Sequence, residues 1–305
     1  MQHGGVRYRL LLLIALFVVL AALVVACGGG AAQSRPREVS LAPAPPAGSV
    51  VLAQESRELA IAIAVRPGRP LGVTATIVGQ SGRGVDGLEV ELAAPGSSHA
   101  GRPCGHGCYR VTLPVSAPTQ LTVKVTGAGS PRTVVFPMAK RWPPADGRAF
   151  LGRASQAFLR LRSVQLDERL SSGPGHSIFT KWKLAAPDRL EYEIRNGPGG
   201  IVIGTRRWDR PKPGAPWTSS PTTLLRQPTA PWGTRIANAH VLAETPGRLT
   251  ASWVDPVVPA WFIGTFDRRT ALPVELRMTA PAHFMRHRYV GFNRNVRIVP
   301  PTSTK

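Results

Sequence analysis

Near the C-terminus, His283, Met285 and His287 stand two residues apart. On a β-strand that spacing turns all three side chains to one face. Imidazole and thioether together suit copper, and the thioether favours Cu(I). The same residues also suit the wall of an apolar cavity with histidines at its rim. A second set, Cys104, His106 and Cys108, sits in one short loop. It offers three ligands where structural zinc takes four. In an oxidising compartment two cysteines this close would form a small-loop disulfide. Disulfide, metal site and free thiols are the three readings of that loop. Trp182, Trp208, Trp217, Trp232, Trp253 and Trp261 all lie in the C-terminal half. They read either as rings at the mouth of a lipid cavity or as ordinary core packing. Trp182, Trp208, Trp253, Trp261, Phe262, Met278 and Phe284 are the candidates to line an apolar ligand cavity.

No catalytic set accompanies them. The chain has no G-x-S-x-G, no H-E-x-x-H and no phosphate-binding Walker loop. Asp188 and Asp255 each neighbour a proline and read as turn formers. Residues 197–200 (GPGG) read as a hairpin turn, not a phosphate cradle. Seven histidines are scattered without a Ser or Cys at a readable spacing. The expectation is a non-enzymatic protein with copper as its one candidate cofactor.

Residues 1–27 carry a different chemistry. Arg7 and Arg9 precede an unbroken apolar run over residues 10–26, which ends in Val24, Val25, Ala26 and Cys27. This resembles the lipobox of bacterial lipoproteins. The resemblance implies a signal peptide over 1–26 and diacylglycerol on Cys27, which becomes the new N-terminus. An uncleaved anchor, at the short limit for spanning, and a secreted form are the alternatives. The first two readings tether the body to the extracytoplasmic face of the bacterial cell membrane. Residues 27–49 are rich in Pro and Gly without hydrophobic periodicity, and are expected to be a flexible tether.

Lys and Arg number 38 against 17 Asp and Glu, a net charge of +21. Such a body is drawn to anionic surfaces such as lipid headgroups. The basic residues are spread along the chain, so nucleic acid is not an expected partner. Arg, Ala, Gly and Pro also rise together in GC-rich genomes, which explains the charge by composition alone. A chain of 305 residues holds about two domains once a leader is set aside. Its 31 glycines and 30 prolines, scattered throughout, argue against a mostly helical fold.

The elements that must position the candidate residues are strands. Over 50–138, Leu59, Ile61, Ile63 and Val65 alternate with Ala60, Ala62 and Ala64. Similar alternation near 73–77, 88–92, 109–113, 121–125 and 133–135 predicts six or seven short strands in an antiparallel β-sandwich. A linker covers 139–147. Over 148–300, Phe150, Ala154, Ala157, Phe158 and Leu161 share one helix face, with Asp146 as the expected N-cap. Strands follow near 163–171, 177–185, 189–195, 200–205, 206–210, 238–244, 248–255, 261–267, 273–280 and 284–290. A short helix is expected within 219–226, and 301–305 is a tail.

Two stretches resemble known families. Gly79, Gly82, Val85, Gly87, Leu88 and Val90, followed by Cys104, Gly105, Gly107, Cys108 and Tyr109, resemble Ig-like modules of the YtkA or copper-transport type. Trp182 with Pro187 and Leu190, then Ile201, Gly204 and Trp208, then Pro216 and Trp217, resemble the LolA/LppX lipoprotein-carrier fold. The turn Asp267, Thr270 and Pro273 belongs to the same pattern. That family implies a curved antiparallel half-barrel with a helical lid and an apolar concave side that holds a lipid or acyl chain, with no catalytic set. Residues 278–293 are similar to extracytoplasmic tails of actinobacterial copper-resistance proteins of the CopC/CopD type. The expected fold is thus mainly β, an Ig-like sandwich followed by an α+β half-barrel. The expected activity is binding of an apolar ligand. Copper handling or sensing through His283, Met285 and His287, and non-catalytic sensing of an envelope partner, are the alternatives.

Overall fold

The computed structural model describes residues 42–302, apart from 128, 233, 234 and 258. The expected signal peptide and Cys27 lie outside the described residues. The fold is mainly β, and its sheets are antiparallel throughout.

The first nine strands are β1 (Val50–Ser56), β2 (Leu59–Arg66), β3 (Leu71–Val78), β4 (Glu89–Ala94), β5 (Ser97–Ala100), β6 (Arg102–Gly105), β7 (Cys108–Leu113), β8 (Gln120–Thr126) and β9 (Arg132–Pro137). They form a five-stranded sheet ordered β1-β2-β3-β7-β6 and a four-stranded sheet ordered β5-β4-β8-β9. Alternation decides their faces. In β8, Leu121, Val123 and Val125 are buried, while Gln120 and Lys124 are exposed. Ile61, Ile63 and Val65 from one sheet meet Leu92, Val123 and Phe136 from the other in a single apolar cluster. β1 was not expected as a strand, because its first four residues are all buried and show no alternation.

Glycines let the loops of this part touch. A Cβ on Gly84 would stand 1.9 Å from the His106 carbonyl oxygen, and one on Gly107 would stand 2.3 Å from that of Ile77. Gly107 donates its N–H to Asp86 Oδ1 at 2.6 Å. Tyr109 donates its hydroxyl to the Val85 carbonyl at 3.0 Å and accepts the Leu88 N–H at 3.0 Å. These contacts tie together the two glycine-rich segments, which lie far apart in sequence.

Helix α1 (Arg148–Leu159) follows. Its N-cap is Gly147, which has no capping side chain. Asp146, one residue earlier than an N-cap, accepts the Arg148 N–H through Oδ1 at 2.7 Å. The expected cap therefore acts from outside the helix. Then come β10 (Ser163–Ser171), β11 (Ser177–Ala185), β12 (Arg189–Ile194), β13 (Gly199–Ile203), β14 (Arg206–Arg210), β15 (Thr218–Pro221), β16 (Ala237–Glu244), β17 (Arg248–Asp255), β18 (Ala260–Asp267), β19 (Pro273–Ala280) and β20 (His283–Phe292). All eleven form one sheet ordered β15-β14-β13-β12-β11-β10-β20-β19-β18-β17-β16. Two meanders of hairpins are thus joined at its centre by the β10–β20 pair.

The helix expected within 219–226 is absent. Thr218–Pro221 is instead the edge strand β15, and 222–226 has no regular structure. The open edge of β14 offers paired hydrogen bonds that an isolated turn of helix does not. Pro221, lacking an N–H, suits that edge position.

α1 lies on one face of the large sheet. Phe150, Leu151, Ala154 and Phe158 pack on Val164, Leu166, Trp253, Phe266, Leu276 and Tyr289, with Trp232 from the long connection. Phe158 meets Trp232 edge to face, with ring centroids 5.3 Å apart. The opposite face meets β1 and β2. There Val51, Ala53, Ala60, Ala62 and Ala64 pack against Val254, Trp261 and Phe284. The small alanines of β2 let the second sheet approach, so this strand is buried on both faces. The end of the expected tether belongs here too. Ala42 is buried in the same cluster, and Asn238 Nδ2 donates to the Pro46 carbonyl at 2.8 Å.

Candidate functional site

The helix-covered face of the large sheet is apolar apart from two polar groups, one at its centre and one on β14. Leu166, Glu168 and Leu170 of β10 point to this face, opposite Tyr289, His287 and Met285 of β20. Glu168 thus interrupts a buried apolar stripe. His287 Nε2 donates to Glu168 Oε2 at 2.6 Å, and both side chains are only 7% exposed. The pair is flanked by Thr180 of β11 and Leu276 of β19, both buried.

Four polar atoms on this face are buried and have no hydrogen-bond partner among the described residues. They are Trp182 Nε1, Trp253 Nε1, His287 Nδ1 and Tyr289 Oη. Three of them cluster. Trp182 and Tyr289 both pair across from Leu166, and His287 lies in the next cross-strand row. Each buried polar atom left unpaired costs about 1–3 kcal/mol. Burial drives the Tyr289 phenol strongly upward, and the Glu168 charge adds to it, so the hydroxyl stays protonated and able to donate.

A second polar group lies further along the same face. Arg207 donates through Nε to Asp209 Oδ2 at 2.7 Å and through Nη2 to the Tyr192 hydroxyl at 3.3 Å. Burial raises the Tyr192 pKa against the opposing effect of Arg207. Burial also disfavours the Arg207 cation, but the Asp209 carboxylate more than offsets this. A Cβ on Gly200 would strike the Tyr192 ring at 2.3 Å, so glycine is what lets the ring lie flat across β13. Trp182 stacks obliquely on Tyr192, at 5.2 Å between centroids.

Comparison of the chain with protein-family models and with curated proteins gives no match. What it can do must therefore be argued from its own geometry.

The structure divides the expected cavity residues between two faces. Trp182, Trp253, Phe262 and Met278 belong to the helix-covered face. Trp261 and Phe284 lie on the opposite face, against β1 and β2. Trp208 is on that opposite face as well, beneath Ile201 and Ile298. The seven therefore cannot line one cavity. The reason is register: Phe284 alternates with Met285, and Trp261 with Phe262, so neighbours in sequence point apart.

His283, Met285 and His287 do share one face, as their spacing predicted. Met285 is buried in the core, and His287 Nε2 is committed to Glu168. His283 Nδ1 stands 3.1 Å from the Pro281 carbonyl. Among the described residues, no three His, Cys, Asp or Glu side chains converge as a metal site would need. Cys104 and Cys108 are joined as a disulfide, which leaves neither thiolate free for a metal, and His106 between them is exposed. This geometry is the one expected by the first of the loop's three readings.

Glu168, Tyr192 and Arg207 were missed by the sequence reading. Glu168 had a signal: it is a carboxylate on the apolar stripe Leu166–Leu170. Its partner His287 lies 119 residues away, and only the β10–β20 register brings them together.

Proposed function

We propose that this chain is a non-enzymatic, membrane-tethered lipoprotein of the bacterial cell envelope that binds an apolar ligand, a lipid or acyl chain, beneath α1. The observation that carries the reading is the set of orphaned polar atoms, Trp182 Nε1, His287 Nδ1 and Tyr289 Oη, among the apolar side chains of this face. An amphiphile entering there would bury its chain against Leu166, Leu184, Tyr192 and Val202. It would also give its polar head the donors of Tyr289 and Trp182. Each buried CH₂ contributes about 0.8 kcal/mol before ordering costs. Helix α1 is the natural cover: at twelve residues it is too short to be stable alone, and it is held by its buried stripe.

In finer terms, the two small sheets read as an Ig-like sandwich. The large sheet with its helix reads as a half-barrel of the LolA/LppX kind. Tethering would come from lipid on Cys27, on the extracytoplasmic side. The test is native mass spectrometry of the full chain released from neutral detergent. A non-covalent adduct of lipid mass supports the reading. One tightly bound copper, lost in a His283→Ala/His287→Ala variant, would replace it with metal handling. Neither adduct would leave sensing of an envelope partner.

A further inference from the structure

On the face of the large sheet that meets β1, three arginines from three strands stand side by side. Arg169 of β10 pairs directly with Arg286 of β20, and Arg286 with Arg277 of β19. Like charges directly opposite one another destabilise a sheet. The neighbouring row on the same face avoids this, running Lys181, Asp167, Arg288 and Glu275 with alternating sign. Two carboxylates serve the arginine row. Glu55 of β1 lies 3.7 Å from Arg169, and Glu275 lies 3.5 Å from Arg277 and 3.0 Å from Arg286. The row therefore keeps one positive charge uncompensated.

These guanidinium groups border a cleft of about 210 Å³ between β1 and the large sheet. Gln54 and Glu55 form its other wall, over a floor that includes Trp261 and Phe284. Each guanidinium carries five N–H donors. Protein acceptors take one from Arg286, at Glu275 Oε2, and one from Arg169, at Ser177 Oγ, 3.2 Å away. Glu55 on the opposite wall is an acceptor, and Gln54 gives its amide N–H to the Val135 carbonyl, so the spare donors all come from the three guanidinium groups. Its volume lies below the roughly 300–1,000 Å³ of drug-sized pockets, so it suits a headgroup and not a long chain.

We infer that this cleft is an oxyanion site for a phosphate ester, with Arg169, Arg277 and Arg286 donating to its non-bridging oxygens. Planar guanidinium forks match phosphate oxygens two at a time, which a row of lysines would not do. The destabilising row of like charges is then offset when the anion binds. The phosphate could come from a lipid headgroup or from solution.

The test is calorimetric titration of the full chain in neutral detergent micelles, with inorganic phosphate and separately with glycerophosphoglycerol. Saturable binding of either supports the site. Equal affinities point to free phosphate, and tighter glycerophosphoglycerol points to a lipid headgroup. Arg286→Gln should weaken binding about tenfold or more, while Arg248→Gln, at a distant turn, should leave it unchanged. Arg286→Gln should melt close to the wild type in phosphate-free buffer, because relief of two like-charge contacts offsets the loss of its exposed pair with Glu275. No saturable heat from either ligand, or equal loss in both variants, overturns the inference. So does an Arg286→Gln variant that melts well below the wild type.

Discussion

Replacing His287 and Glu168 one at a time and together should separate the pair's structural worth from its chemistry. His287→Leu leaves a carboxylate between Thr180 and Leu276, only 7% exposed, without its partner at 2.6 Å. Removing the partner of a buried carboxylate costs about 3–5 kcal/mol, because it leaves that charge without its donor. Glu168→Leu leaves an imidazole whose Nδ1 already has no partner among the described residues. The added cost is one more orphaned nitrogen, about 1–3 kcal/mol. The double variant puts two leucines of similar volume against Leu276 and Leu170, and should fall within about 1 kcal/mol of the wild type. The coupling energy is then at least about 3 kcal/mol. Urea unfolding of the full chain, followed by tryptophan fluorescence, measures all three midpoints. Thermal melting should show the His287→Leu loss as a drop of about 6–20 °C. A double variant as costly as the two singles summed would refute the argument, because it would mean that the two side chains do not depend on each other.

Phe158→Ala should lose about 3–5 kcal/mol, since its ring is fully buried against Trp232 and Tyr289, and chemical unfolding reads this directly. Reducing the Cys104–Cys108 disulfide should cost about 2 kcal/mol, the entropy of so short a loop, seen as a lower urea midpoint with reductant. Hydrogen bonds from Thr270, backbone first and then side chain, hold the Asp267 carboxyl below its ordinary value, and Arg132 does the same for Glu58. Both groups therefore contribute stability above the usual carboxylate pKa that is lost as the pH falls through their lowered values. Thr270→Val should raise the Asp267 pKa towards normal, which carbon-detected NMR titration would show.

The alternating strands were legible because one face of each meets water. β8 declares itself through Leu121, Val123 and Val125. β1 did not, because neither face of Val50, Val51 and Leu52 is solvated. The alanines of β2 were visible as small residues, but nothing in sequence says that a second sheet lies over them. The spacing of His283, Met285 and His287 gave their common face correctly. Their surroundings were not legible, since Glu168 and Leu276 arrive from other strands. The arginine row is hidden for the same reason: Arg169, Arg277 and Arg286 become neighbours only through register. The turn at Asp267, Thr270 and Pro273 was legible as the link between two strands, but not the contacts inside it, where Asp267 Oδ1 accepts both the N–H and the hydroxyl of Thr270 at 2.8 Å.

The pairing of β10 with β20 at the centre of the large sheet has a consequence for how the chain folds. Each meander, β11 to β15 and β16 to β19, can assemble from local hairpins within microseconds. The strands that join them lie roughly 120 residues apart, and closing that loop costs about 4 kcal/mol before any contact rewards it. During vectorial emergence, N-terminus first, the inner edges of both meanders stay open until residue 292 is free. Through that interval β10 displays a row of unpaired backbone groups, the condition under which sheets join across molecules. The final strand therefore acts as a closing stitch, and truncation within it should yield aggregates instead of a smaller folded protein.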